Sequence, residues 1–315
     1  MDNMKKAYDV AAIAVRQRLA EQHPQYLEIL NRIGKDKVAV YSGSYDRVEN
    51  ILECLKIPFN LNPKADRLSA KIVFVNCSGS YDRNLGKQLE QQVSRGKWLV
   101  SSDWALGHFI EPAFPGTVRW TKRTTREEVI SVEPSLNSLW SEVVVLGADP
   151  QWWLEGSSHP LEVLNSEKVT IEAASHDLLS SYNAPVVAVS FNWGQGYVFH
   201  VISHFWCKRS RTPTSRHQQP CTEFLKAGMK LSDRGMEKVL QQAKIQPETL
   251  NFAQIQSAAT ATELVAQLCI KAIVKSSSKN LASSGKSNTS GVQSSQRGMN
   301  ASNMPEIVLD NVEYL

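Results

Sequence analysis

A doubly wound α/β domain with a mostly parallel sheet is predicted by three observations. Between residues 36 and 206 short β-branched runs recur, the early ones end in Ser-Gly or Ser-Asp turns, and helix-spaced apolar residues follow those turns. Parallel strands need crossover helices, so strand-turn-helix units repeated within about 75 residues select this sheet over an antiparallel one. At 315 residues and 42% hydrophobic content the chain can bury an ordinary core without staples.

Residues 1–35 read as an N-terminal helical extension. Ala11, Ile13, Ala14, Val15 and Leu19 recur at helical spacing, Gln22 to Pro24 interrupts, and Tyr26, Leu27 and Leu30 resume the pattern. The α/β domain, 36–206, opens with the strand Lys37 to Tyr41 and the helix Val48 to Leu55. It continues with the strand Ile72 to Asn76, the helix Leu85 to Val93, the strand Lys97 to Val100 and a helix over Asp103 to Ile110. Further strands are predicted at Val143 to Leu146, Val169 to Glu172, Val186 to Ser190 and Tyr197 to Ile202, the last two joined by a hairpin at Asn192-Trp-Gly-Gln-Gly196.

Residues 207–275 comprise a polar, basic loop to Pro220 and two helices, Thr222 to Ala243 and Phe252 to Val274, with Thr260-Ala-Thr-Glu263 as a capping box for the second. Ser276 to Asn303 is rich in Ser, Asn, Gly and Lys and reads as a disordered linker. Met304 to Leu315 regains an apolar and acidic pattern, either a peptide that docks a protein partner or a strand folding back.

The net charge of +4 is small and dispersed, which argues against nucleic-acid binding. The apolar stretch Val10 to Val15 is too short for a signal peptide or a membrane span. Five scattered cysteines without a CxxC pair suit a reducing cytoplasm. His200, His204, Cys207, His217 and Cys221 match no standard zinc spacing, so no metal or other cofactor is expected.

Ser42-Gly43-Ser44-Tyr45-Asp46-Arg47 recurs unchanged at Ser78-Gly79-Ser80-Tyr81-Asp82-Arg83, and Ser101-Ser102-Asp103 is a shorter version of the same ending. Loops that follow parallel strands line one sheet edge, where ligands bind. Two readings stand. In one, the glycines relax the turns and Asp46, Asp82 and Asp103 cap the following helices. In the other, the serine hydroxyls, free backbone amides, Arg47 and Arg83 cradle a small anionic ligand.

Three segments carry a resemblance that covers about residues 36 to 206. Asn76-Cys77-Ser78-Gly79 looks like an oxyanion loop, Trp98-Leu-Val-Ser-Ser102 like the strand running into a nucleophile elbow, and Val198 to His204 like a late strand that ends in a catalytic histidine. In their order they resemble the class I glutamine amidotransferase-like superfamily, which includes trehalose-utilisation-type domains. The resemblance implies a flavodoxin-like domain with His204 in the histidine role and His200 on the same strand face. It also implies a degenerate member. The enzymes' cysteine is replaced by Ser102, or Ser101 on a shifted alignment, the elbow lacks flanking glycines, and Trp206 stands where an acid should orient the histidine.

Two functions follow from it. One is a non-catalytic, cytoplasmic ligand-sensing or protein-interaction module whose pocket lies at the C-terminal strand ends. The alternative is a serine-dependent hydrolase or transferase on an amide, ester or glycosyl-type substrate, using Ser102 and His204 with Asp103 or Asp177 as the acid. Trp152-Trp153 reads as a core plug, and His159 before Pro160 as a turn residue that trehalose-utilisation-type relatives would turn toward a ligand.

Overall fold

In the computed structural model, which describes residues 3–77, 83–143 and 150–284, the β-branched runs become strands because they can be buried on both faces. The strands are β1 (Val38–Tyr41), β2 (Asn60–Leu61), β3 (Ile72–Val75), β4 (Trp98–Ser102), β5 (Val118–Trp120), β6 (Glu128–Ser131), β7 (Glu133–Pro134), β8 (Gln151–Leu154), β9 (Leu161–Val163), β10 (Val169–Ala174), β11 (Val186–Trp193) and β12 (Gly196–Val201). Eight of them form the central sheet, in the order β2-β1-β3-β4-β12-β11-β10-β7. From β2 to β12 every pairing is parallel. Beyond β12 the pairings turn antiparallel, because the hairpin at Gly194, with φ +57, returns the chain directly between β11 and β12. The fold is thus mixed α/β with a central, mostly parallel sheet. Two small antiparallel pairs, β5 with β9 and β6 with β8, stand beside it.

The helices α1 (Asn3–Gln22), α2 (Pro24–Asn31), α3 (Val48–Cys54) and α4 (Arg83–Ser94) follow the predicted segments. Helix α1 lies inside the domain's core rather than extending from it. Ala7, Ala11 and Ala14 let it approach closely, and the buried Tyr8 hydroxyl donates to the Phe205 carbonyl (2.7 Å) while accepting from the Cys207 amide (2.6 Å). The tyrosine ring stacks on Trp206 at 4.1 Å.

The helix Phe252–Ser284 is buried over most of its described length. Its Glu263 pairs with Arg18 of α1, and its Lys275 sits 5.8 Å from the rings of Trp98 and Tyr197, at the starts of β4 and β12. Residue 275 of this helix therefore lies at the end of the sheet where β4 and β12 begin. The stretch Phe252–Lys275 has the length and hydropathy of a membrane span, yet 83% of its most apolar window is buried inside the protein, as in a core helix.

Several predicted elements are corrected. Thr260 does not cap this helix: its hydroxyl donates to the Gln256 carbonyl in mid-helix, and the reciprocal cap is Asn251 with Gln254, each bond 2.9 Å. The helix also continues to Ser284, past the expected start of the linker at Ser276. The predicted helix Thr222 to Ala243 breaks, because Ser232 caps a new helix, Asp233–Ala243, through the Gly235 amide. Val143 ends a short helix, Leu139–Val143, instead of starting a strand. Val144 to Leu146 and Met304 to Leu315 lie outside the described residues. The chain divides into a unit through Ser278 and a second, Lys279–Leu315.

Candidate functional site

The ends of β1, β3, β4 and β12 converge, and the side chains of Asp46, Asn76, Ser102, Asp103 and His204 are buried there rather than lining an open cleft. The β1 and β3 endings meet tightly: a Cβ on Gly43 would lie 2.0 Å from the Cys77 carbonyl oxygen, so glycine is required there.

Asp46 and Asp103 do not cap helices, and Asp82 lies outside the described residues. Helix α3 starts from Arg47 with no side-chain cap. The fully buried Asp46 carboxylate instead accepts from the Ser102 hydroxyl (2.6 Å) and from the amides of Arg47 (2.7 Å), Phe205 and Trp206 (both 3.1 Å). Ser102 also accepts from the Cys77 amide (3.1 Å). Its hydroxyl proton is thus committed to Asp46, and the structure does not bring Ser102 to His204 as a nucleophile to its base.

At the elbow stands Asp103. Its φ of +47 places it in the left-handed region, where aspartate is among the better-tolerated side chains. One carboxylate oxygen accepts from the His159 amide at 3.0 Å. The other faces the Cys77 thiol at 3.7 Å and His204 Nε2 at 3.3 Å. The opposite ring nitrogen, Nδ1, touches Glu155, which also pairs with Lys208 at 3.1 Å.

Burial works against charge on His204. The contacts with Asp103, Cys77 and Glu155 and the field of Asp46 outweigh it and hold the imidazole proton well above its ordinary pKa. Glu155 is pulled down in turn: burial opposes this, but His204 and Lys208 prevail. Burial pushes the Cys77 thiol up.

The acid that orients His204 is therefore Glu155 and not a residue two positions along. Asp103, expected as the orienting acid, sits on the other side of the ring. Asp177 is elsewhere, accepting from the Ser131 amide at 2.9 Å. Glu155 was missed because nothing in its local pattern, an acid after the strand Gln151–Leu154, ties it to a histidine in a distant segment. In the sequence Cys77 stands out only as a member of the oxyanion-like loop Asn76-Cys77-Ser78-Gly79.

Ser101 and His200 are register partners on β4 and β12 and bond side chain to side chain at 2.9 Å. Strand alternation puts them on the sheet face opposite Ser102. Burial drives the His200 pKa down to about 3, with the charge of His159 adding to it, so the ring is neutral. Ser42 is tied to Asn62, bonding its side chain through both amide and hydroxyl. Ser44 and Tyr45 are exposed, Arg47 is half-exposed with Glu49 at 3.5 Å, and Arg83 is exposed at the start of α4. Ser78, Gly79 and Ser80 lie outside the described residues.

Above the cluster lies an aromatic rim. The His159 ring is sandwiched between Trp104 (5.2 Å) and Trp120 (4.0 Å), and the exposed Tyr45 lies 6.5 Å from Trp104. Burial, with His108 and Lys122 nearby, lowers the His159 pKa to about 4. Trp152 and Trp153 are buried in β8. Among the described residues, His200, Cys207, His217 and Cys221 form no joint metal set with His204. The three groups whose donor atoms lie within 4.8 Å of one another are Cys77, Asp103 and His204.

No family model and no curated protein matches the chain. Solved structures similar to it include a ThuA-like protein from Bacteroides uniformis (TM-score 0.41, 9% identity, 55% of this chain and 83% of that one). A β-galactosidase from Rahnella sp. R3 gives a TM-score of 0.40 at 14% identity over 53% of this chain and 28% of that one. A cytoplasmic protein from Salmonella typhimurium gives 0.38 at 15% identity over 66% and 98%. The chain spans 28% to 34% of the length of the β-galactosidases it matches. At these scores the likenesses say nothing of what this chain does.

Proposed function

We propose that this chain is a non-catalytic ligand-sensing or protein-interaction module, a degenerate relative of the class I glutamine amidotransferase-like domains. Its flavodoxin-like character is supported by the order β2-β1-β3-β4 followed by β12. One observation carries the functional reading: Ser102 is fully buried and its hydroxyl donates to Asp46, so Ser102 does not face His204 as a nucleophile. The residues that would make a hydrolase are used to hold the strand ends together.

The recognition surface is then the rim: Tyr45 and Trp104 as a stacking shelf, with the exposed hydroxyl of Ser44 and the cations of Arg47 and Arg83 for a small anionic group. A cytoplasmic setting and a protein partner engaged by Met304 to Leu315 complete the proposal. Fluorophosphonate labelling of wild type and Ser102→Ala tests it. No Ser102-dependent labelling is expected, and labelling that Ser102→Ala removes would replace this reading with a serine hydrolase. Deleting Met304 to Leu315 is expected to abolish partner recovery in a pull-down, and undiminished recovery would refute the docking role.

A further inference from the structure

We infer that Cys77, Asp103 and His204 form a binding site for one zinc-type divalent cation. The three side chains come from separate strand ends: Cys77 follows β3, Asp103 sits at the elbow after β4, and His204 follows β12. The folded chain, not local sequence, assembles the set, and each donor is almost completely buried.

The spacing is that of a coordination shell. Zinc bonds of about 2.3 Å to sulfur and about 2.0 Å to oxygen or imidazole nitrogen, at tetrahedral angles, place sulfur and oxygen about 3.5 Å apart and nitrogen and oxygen about 3.3 Å apart. The Cys77 sulfur lies 3.7 Å from Asp103 Oδ2, and His204 Nε2 lies 3.3 Å from the same oxygen. The histidine is also prepared in the manner of metal ligands. Its distal nitrogen Nδ1 is engaged by Glu155, which fixes the ring so that Nε2 faces the thiol and the carboxylate.

A sulfur, an imidazole and a single carboxylate select zinc or cobalt over magnesium or calcium, which take oxygen ligands. Three protein ligands leave a fourth position for water or an anionic group. Binding displaces the Cys77 thiol proton to solvent, and His204 would bind through Nε2 as the neutral imidazole. The inference stands on this geometry alone and does not depend on the binding-module reading.

Titration of the full-length, chelator-treated protein with Co²⁺ tests it. One cobalt per chain is expected, with a sulfur-to-cobalt charge-transfer band that zinc displaces. Cys77→Ser should abolish the band, while Cys207→Ser and Cys221→Ser keep it. Glu155→Gln lies outside the ligand set and should weaken zinc about 10- to 100-fold with the fold intact by circular dichroism. It keeps the test decisive if Cys77→Ser misfolds. Absence of stoichiometric binding by folded wild type, a band that survives Cys77→Ser, or unchanged zinc affinity in Glu155→Gln would each overturn the site.

Discussion

Asp46 and Asp103 close the same Ser-x-Asp motif on two neighbouring regions of one sheet edge, and both are buried, yet they meet different partners. The Asp46 carboxylate is filled by fixed donors, the Ser102 hydroxyl and the backbone amides of Arg47, Phe205 and Trp206. None of those donors titrates in the ordinary pH range. Asp103 faces one fixed donor, the His159 amide, and on its other oxygen two titratable groups, Cys77 and His204. A carboxylate saturated by backbone is a staple. One whose second oxygen meets groups that can lose protons is a place where chemistry or a cation can enter.

The largest expected effect breaks the staple. Asp46→Ala strands the buried Ser102 hydroxyl and Phe205 amide and frees the part-buried amides of Arg47 and Trp206, and at about 1–3 kcal/mol for each buried unsatisfied group it should cost about 2–5 kcal/mol in urea unfolding. A loss below about 1 kcal/mol would show that the two aspartates do not differ in this way.

Asp103→Asn keeps the shape and the left-handed backbone, which asparagine tolerates, and should cost less, about 1–2 kcal/mol. An equal or larger loss than for Asp46→Ala would reverse the comparison.

The pH dependence sharpens it on the opposite sheet face. His200 has a folded pKa near about 3 against an ordinary value of about 6.5, so between those values only the unfolded chain binds the proton. Its contribution to stability is complete above about pH 6.5 and is lost toward pH 3, at about 1.4 kcal/mol per pH unit. Urea midpoints measured across that window should fall less steeply in His200→Phe, and parallel curves would exclude the histidine as the cause.

The smallest effect belongs to the rim. Tyr45 is exposed, so Tyr45→Ala should change stability by no more than about 0.5 kcal/mol. A larger change would make Tyr45 a part of the packed edge instead of a recognition surface.

Much of the strand pattern was legible because burial on both faces demands it: Val38–Tyr41 and Ile72–Val75 are β-branched or aromatic nearly throughout and fully buried. The Gly194 hairpin was legible for the same local reason. Helix starts were less so. Thr260-Ala-Thr-Glu263 and Asn251-Phe-Ala-Gln254 both have capping chemistry, and it is the second that caps the helix, where Phe252 packs against Phe224 and His217. The place of the candidate site was likewise readable, since Ser102, Asp103 and His204 all lie where strands end.

The partnerships at that place were not readable. Asp46 meets amides 159 and 160 residues away along the chain, and Glu155 reaches His204 from an unrelated strand. By itself the sequence determined the strands, the turns and the edge on which they converge, because those depend on backbone propensity and burial over a few residues. The tertiary structure alone decided that Ser102 serves Asp46 and that His204 stands between Asp103 and Glu155. Hydrogen bonds and ion pairs are set by distances of a few ångströms, and only the assembled sheet brings those side chains within reach.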